Sequence, residues 1–494
     1  MTIAGKDYLT WVALFLYLAA NAVLCVLYPF YIVFGVNVLL ILLFLVSIKP
    51  VWGVYLLIFL VPISRDSTYL TFAGQWNVKI NDSYINLIPV FTPVFIFTYA
   101  GYLLHKGASL WVSDVKNPVN ALFILIAGYA AVTLLWSDDL PHGMFQYYYL
   151  ITNIMLLTLI VSTMATEETH RTMMWCMVFS GLAETLLSYY FRFVDTAIIE
   201  HRFLGDIVFG VRNYGGLMSN DDSPIQAHGL QEAHETSLWM NIFMGAAAGL
   251  FLTEKSVKRR IFLAFCFIAG LSVLIGTESR AGAAAFIAMA LFFLFFYQKT
   301  SKYFVRSTVI FLAAVLVFYV VEQKAFSVAA GKEDTIMRLL MLGEKAVASG
   351  DVIDPGIAQK EGAGPGRRTI WGLGFSGLGG LTGKLPVGLG IGNYKYIYRA
   401  PHSHSLPLSF LFDFGLIGFA LFLLIIYVIV KYCMKAVKFQ NTYIQRMSLC
   451  FIATLAAVIF QGCFDFDYTY PIFWLFGGFL FSTLLLANKH GGKY

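Results

Sequence analysis

The sequence predicts an all-α polytopic membrane protein, and three observations predict it. Of 494 residues, 59% are hydrophobic and only 13% are charged, against roughly 25% charged in a soluble domain. Apolar runs near the ~20 residues needed to cross the hydrocarbon core recur from end to end, and mean hydropathy is +0.73. Aromatic residues make up 17%, and many fall at the ends of those runs, where interfacial anchors sit.

We read fourteen spans, with twelve as the lower bound. They lie near 8–27, 30–47, 51–63, 84–104, 118–136, 144–163, 172–191, 236–252, 261–276, 281–298, 304–321, 405–430, 447–464 and 471–487. The first run continues into the second and reads as a retained anchor rather than a cleaved leader. The third is the shortest. Pro50, Pro118 and Pro471 punctuate run ends. The six cysteines lie in or beside apolar runs with no C-x-x-C pair, which argues against a disulfide framework or a zinc site.

Basic residues orient the spans. With both termini inside, Lys255, Lys258, Arg259 and Arg260 share one inner connection. Lys299, Lys302 and Arg306 share a second, and Lys431, Lys435 and Lys438 a third. Short outer connections hold Arg65, Lys79 and Arg280. The organisation is then 1–191, N-terminal helices; 192–235, an outer loop; 236–321, central helices; 322–404, a large outer loop; and 405–494, C-terminal helices. The inner loops leave no room for a nucleotide-binding domain, and the net charge of +6 follows membrane topology rather than nucleic acid.

The large outer loop has two parts. Residues 322–361 carry mixed charge and an amphipathic helix near 334–348. Residues 362–404 hold Arg367, Arg368, Lys384, Lys395 and Arg399 with no Asp or Glu, and glycine fills 12 of the 31 positions from Gly362 to Gly392. Such a stretch exposes backbone N–H groups and favours an anion; a surface loop beside acidic headgroups has the same composition. Gly372, Gly374 and Gly377 match G-x-G-x-x-G, but no βαβ unit surrounds them, and Gly383-Lys384 lacks the rest of a P-loop.

Arg280 and the pair His402/His404 stand out in charge-poor surroundings. If they open on one side, they bring a fixed cation and a titratable base to one interface. That pairing suits chemistry on an anionic, lipid-linked donor.

Thr277-Glu278-Ser279-Arg280-Ala281-Gly282 resembles the T-x-S-R-[AG]-G signature of the O-antigen ligase/polymerase superfamily. Arg368 to Trp371 resembles its R-x-x-W element. Gly388, Gly390, Gly392, Asn393 and Tyr394 resemble the glycine turn that follows. His404-Ser405-Leu406-Pro407-Leu408, followed by Gly415-Leu416-Ile417-Gly418, resembles H-N-x-x-L…G-L-[IV]-G, with Ser405 in place of the common Asn. Gly229 to Glu235 loosely resembles G-L-x-x-x-N-x, with His234 in place of Asn. The resemblance spans about 229–418; residues before it carry only the helix pattern.

The resemblance implies a GT-C-like bundle at the outer face of the bacterial inner membrane. It implies an inverting, metal-independent glycosyltransferase with no cofactor. The donor would be an undecaprenyl-diphosphate-linked glycan. The acceptor would be another lipid-linked repeat unit for a polymerase, or the glycolipid lipid A–core for a ligase. The departures at Ser405 and His234 lean toward a polymerase of O-antigen or exopolysaccharide, with a flippase and a chain-length regulator as partners.

In that chemistry Arg280 and Arg368, with Arg367 in reserve, stabilise charge on the leaving diphosphate. His404 removes the acceptor's proton. His402, Lys395, Arg399 and His234 contact substrate, and Arg202 and Arg212 are further anion contacts. Plainer roles stand beside these: Arg280 as an interfacial anchor, His404 as a helix cap, His234 and Glu235 as an ordinary helix start. Asp465 and Asp467 are expected to face water. A membrane transporter and a non-catalytic assembly scaffold are the alternatives of other classes.

Overall fold

Long apolar stretches form helices because a helix satisfies its own backbone hydrogen bonds, which lipid cannot do. In the computed structural model these are α1 (Phe30–Ile48), α2 (Pro50–Ile63), α3 (Phe91–Lys106), α4 (Pro118–Thr133), α5 (Leu140–Thr163) and α6 (Glu167–Phe193). They continue with α7 (Ala233–Thr253), α8 (Val257–Gly276), α9 (Arg280–Tyr297), α10 (Leu406–Ala436), α11 (Thr442–Gly462) and α12 (Pro471–His490). The structure describes Tyr17 and residues 30–63, 68–72, 79–80, 83–84, 88–89, 91–106, 118–138, 140–164, 166–193, 199–203, 207–211, 233–277, 279–297, 375, 384–394, 405–436 and 442–490. The spans expected at 8–27 (Tyr17 apart) and 304–321, and the helix expected near 334–348, lie outside the described residues.

Five described helices are long and apolar enough to cross a membrane: α5, α7, α8, α11 and Leu406–Tyr432 of α10. Shorter apolar helices lie at Pro50–Pro62, Ala121–Trp136, Arg280–Phe296 and Pro471–Ala487. The run expected from 84 is helical only from Phe91, because Ser83–Tyr84 and Ile88–Pro89 are strands. Residues between spans are not all loop either. Strands β1 (Thr68–Phe72), β2 (Lys79–Ile80), β3 (Ser83–Tyr84), β4 (Ile88–Pro89), β5 (Ile199–Phe203) and β6 (Ile207–Val211) occur there. β1 pairs antiparallel with β6, Tyr69 opposite Gly210, in a sheet ordered β4-β1-β6-β5. Alternating β-branched and aromatic residues, too few to span, favour strand over helix here.

α7 is the axis of the packing. Its residues from Glu235 to Ala247 are all buried, and α6, α8, α9 and α11 surround it. α12 packs on α5, and α3 packs on α1 and α2. α7 begins at the same end of the bundle where α9 and α10 begin and α11 finishes, and that end carries the irregular structure.

Candidate functional site

The corner between α8 and α9 is set by the residues flanking Arg280. Thr277 ends α8, its Oγ1 donating to the Leu274 carbonyl at 2.7 Å. Ser279 then caps α9: its Oγ accepts the Gly282 N–H at 3.1 Å, and its carbonyl accepts the Ala283 N–H at 2.9 Å. A cap of this kind contributes about 1 kcal/mol. Arg280 is thereby the first residue of α9, exposed at the rim, at a helix end that favours anions.

A buried polar cluster fixes this corner against α7 and α11. Gln461 near the end of α11 donates to the His234 carbonyl at 3.0 Å and to Ser237 Oγ at 2.6 Å. Asn241 donates to the Gly282 carbonyl at 3.1 Å and to Gln461 at 3.5 Å. A Cβ on Gly282 would meet Ser237 Oγ at 2.5 Å, so α9 approaches α7 closely only with glycine there. Gly462 in turn faces Leu406, the first residue of α10: a Cβ added to the glycine would lie 3.5 Å from Leu406 Cβ, in ordinary contact. The Arg280 corner, the start of α7, the end of α11 and the start of α10 are therefore linked by direct contacts.

Helix α10 is broken at Gly415, whose φ of 65° and ψ of −162° suit glycine. Breaking a helix inside a bundle frees backbone groups that must find partners. Residues 384–394 supply them. Leu389 N–H donates to the Phe412 carbonyl at 2.8 Å, and Gly390 N–H to the Asp413 carbonyl at 3.0 Å. Leu416 and Ile417 N–H donate to the Leu385 and Pro386 carbonyls at 3.0 and 3.1 Å. Tyr129 OH reaches the Val387 and Phe414 carbonyls at 3.1 and 3.2 Å. A Cβ on Gly388 would lie 2.4 Å from the Asp413 carbonyl, and one on Gly415 would lie 2.4 Å from the Gly388 nitrogen. The glycine turn and the Gly415-Leu416-Ile417-Gly418 element are two halves of one joint.

The turn is also tied to the end of α4. Asn393, 1% exposed, accepts from Ser137 Oγ and from the Asp138 N–H, both at 3.0 Å, and donates to its own turn at the Leu389 carbonyl at 2.7 Å. Ile391 N–H donates to Thr133 Oγ1 at 3.2 Å. Buried Asp413 accepts the Tyr468 hydroxyl at 2.6 Å. Burial, then the Asp413 carboxylate, pushes the Tyr468 phenol well above its ordinary range, so it remains a proton donor.

Further along the bundle, away from the Arg280 corner, α8 and α9 diverge over an apolar cavity of about 340 Å³, floored by α7 and α11. Phe251, Phe267, Phe286, Met289, Phe293 and Cys450 are among its walls. The wall residues Phe286 to Phe293 lie six to thirteen residues past Arg280, about 9–20 Å down the helix at 1.5 Å per residue.

Of the expected site residues, the structure describes Arg280 and His234. His234 is partly buried at the second position of α7, its carbonyl engaged by Gln461. His404, His402, Arg367, Arg368, Lys395, Arg399 and Arg212 lie outside the described residues, as does Glu278; Arg202 is described in backbone only, within β5. Tyr394 and Ser405, which flank 395–404, are both buried. One expectation is corrected: Asp465 and Asp467 do not face water but are 3% and 4% exposed. Asp467 accepts the Thr469 N–H at 2.8 Å and its hydroxyl, and Asp465 lies 3.5 Å from Gln461 Nε2. Local donors satisfy these carboxylates, so burial is tolerated. Among the described residues no cluster of His, Cys, Asp or Glu could hold a metal ion.

Sequence reasoning passed over Asn241, Asp413, Gln461 and Tyr468 as site-end residues. A signal existed for the first three, since a carboxylate or amide inside an apolar run is costly and marks polar function or packing. Compared with known families, residues 264–423, about a third of the chain, match a model described as O-Antigen ligase. A search of curated proteins found no match.

Proposed function

From the match of residues 264–423 to a family model described as O-Antigen ligase, we propose that the chain is a member of the O-antigen ligase/polymerase superfamily and an inverting, metal-independent glycosyltransferase. It moves an undecaprenyl-diphosphate-linked glycan to a sugar hydroxyl at the outer face of the inner membrane. The observation that carries this reading is the junction of four helix ends. That junction joins the Arg280 corner to Leu406, two residues after His404.

In the proposed step, the acceptor hydroxyl oxygen attacks the anomeric carbon of the donor while His404 takes its proton. The bond from that carbon to the diphosphate oxygen breaks with inversion, and undecaprenyl diphosphate leaves with the electron pair. Arg280 and Arg368 meet the charge that grows on the leaving oxygen. Arg367, Lys395, Arg399, His402 and His234 hold glycan and phosphate. The cavity between α8 and α9 suits the isoprenoid tail, being apolar and walled by the helix that begins at the cation that would hold the head, about 9–20 Å along it.

A broken helix with a buried carboxylate is also a transporter habit. Here, however, the carbonyls of Phe412 and Asp413 and the N–H groups of Leu416 and Ile417 are bonded to the 384–394 turn. The break therefore offers little to a transported ion, and we favour transfer over transport.

The reaction is polymerisation in our reading, and reconstitution with a defined lipid-linked repeat tests it. A ladder of products growing by one repeat is expected. One-step transfer to lipid A–core alone would make the protein a ligase, and no transfer to either acceptor would leave a scaffold.

A further inference from the structure

Arg280 stands at the start of a smooth helix. The first turns of α9 read Arg280-Ala281-Gly282-Ala283-Ala284-Ala285, and buried Gly282 lies so close to α7 that an added Cβ would meet Ser237 Oγ at 2.5 Å. Small residues let two helices approach but offer few knobs to fix their relative rotation. Two buried amides supply that key. Asn241 and Gln461 are both 0% exposed. Asn241 Nδ2 donates to the Gly282 carbonyl at 3.1 Å and to Gln461 Oε1 at 3.5 Å. Gln461 Nε2 donates to Ser237 Oγ at 2.6 Å and to the His234 carbonyl at 3.0 Å, with Asp465 Oδ2 at 3.5 Å. A carbonyl only accepts, so the His234 and Gly282 carbonyls fix which way each amide points.

We infer that Asn241 and Gln461 are positioning residues for Arg280: the amide pair sets the rotation of α9 against α7 and α11, and with it the direction of the guanidinium. This rests on the glycosyltransferase reading for its catalytic consequence, but not for its geometry. The links run from Gln461 on α11 to Ser237 and Asn241 on α7, and from Asn241 to the turn that carries Arg280. A Cα lies about 2.3 Å from the helix axis and a guanidinium several ångströms further out, so roughly 10° of rotation moves it on the order of 1 Å. A misplacement of about 1 Å can cost on the order of 100-fold in rate. The fold asks less of the pair. Ser237 Oγ also donates to the His234 carbonyl, at 2.8 Å, and the Ser279 cap holds the start of α9. Loss of either amide leaves both of those bonds in place.

The test uses the full chain in proteoliposomes with the lipid-linked repeat. Gln461→Met keeps an unbranched side chain and removes the amide. It is expected to lower kcat roughly 10- to 100-fold, with KM, membrane level and melting temperature near those of the parent. Placed on Arg280→Ala, the same change should cost less than about threefold, because residues that act through one group are not additive. A loss as large there as in the parent overturns the inference, since the amide would then act elsewhere. A second readout is independent of turnover. Nitroxides on Arg280→Cys and Leu140→Cys, in a background without other cysteines, report the distance from the start of α9 to the start of α5. Gln461→Met should shift or broaden that distance distribution, and an unchanged distribution overturns the inference whatever the activity. A shift in a protein whose parent shows no transfer leaves the positioning of the corner standing and removes the enzymatic reading. If Gln461→Met fails to insert, Asn241→Leu removes the direct bond to Gly282 at similar volume. It should move all three readouts in the same direction, and no change there is equally fatal.

Discussion

The two ends of the bundle solve the same problem, polar groups among apolar helices, in opposite ways. At the end away from Arg280 the polar ties leave the helices regular. His170 bridges Tyr443 and Thr483, both at 2.8 Å, and the Arg171 guanidinium lies 4.5 Å above the Tyr443 ring and 3.4 Å from Glu167. Glu254 closes the short connection between α7 and α8, and Arg446 reaches the Leu252 carbonyl. At the Arg280 end a helix is broken, Gly388, Gly390, Gly392 and Gly415 have positive φ, and amides and carboxylates are buried. Strained or irregular backbone costs about 1–3 kcal/mol per residue and persists only where its surroundings over-determine it. Its concentration at one end marks where precise placement matters.

The sharpest way to break this contrast is at the joint. Gly415→Val places a Cβ against the Gly388 nitrogen and the Pro386 carbonyl, at 2.4 and 2.5 Å, in a backbone conformation that β-branched residues avoid. We expect a loss above ~4 kcal/mol, read as collapse of the monodisperse peak in detergent. Gly128→Val, where an added Cβ meets nothing within 4 Å, should behave as the parent. Equal behaviour of the two variants would show that the joint is not a structural requirement.

Arg280→Ala comes next. Because the side chain is exposed and the corner is held by Ser279, Asn241 and Gln461, the fold should survive. Transfer should fall about 10²–10³-fold, the scale for losing one group that stabilises transition-state charge. Arg280→Lys should recover part of it, since charge remains but the two-pronged geometry is lost. Arg259→Ala at the opposite end, with 64% side-chain exposure, should leave turnover unchanged. Full turnover in Arg280→Ala would remove the proposed role. The same assay tests the tail site: Ala290→Trp, which fills the cavity wall, should raise KM for the long-chain donor more than for a short-chain analogue. Equal effects on both would detach the cavity from the donor.

These contrasts also show what could be read from the residues. The helical spans were legible because a run of apolar residues near 20 has few other uses. The Arg280 corner was legible as a short local motif, since cap and cation lie within six residues. The joint was not. Gly388 and Gly415 are 27 positions apart, and each looks like an ordinary loop or helix glycine until the two backbones meet. Tyr129 reaches the joint across 258 residues. The burial of Asp465 and Asp467 was misjudged for the same reason: a short acidic loop reads as solvated unless the donors that bury it are known. The placement of 395–404 was readable only as charge and motif.

At the opposite end the expected effects are thermodynamic rather than catalytic. His170→Phe leaves the Tyr443 and Thr483 hydroxyls without the imidazole. It should lower stability by about 1–3 kcal/mol in thermal melts, with turnover per folded molecule unchanged. A selective loss of turnover would mean that the two ends are coupled.

The smallest effect belongs to Glu254. Burial raises its pKa, but the backbone N–H groups of Ser256 and Lys255 and the Arg259 guanidinium outweigh burial and hold it below the ordinary value of 4.5. A carboxyl depressed in the folded state contributes stability that is present above its unfolded pKa. That contribution is lost as pH falls through the lower folded value. Glu254→Gln should therefore melt slightly below the parent at pH 7, and the gap should close as both are titrated toward pH 3. The Arg259 contact is solvent-screened, so added salt should narrow the gap at pH 7 as well. A gap that widens on acidification would mean that the carboxylate is a burden at this connection rather than its closure.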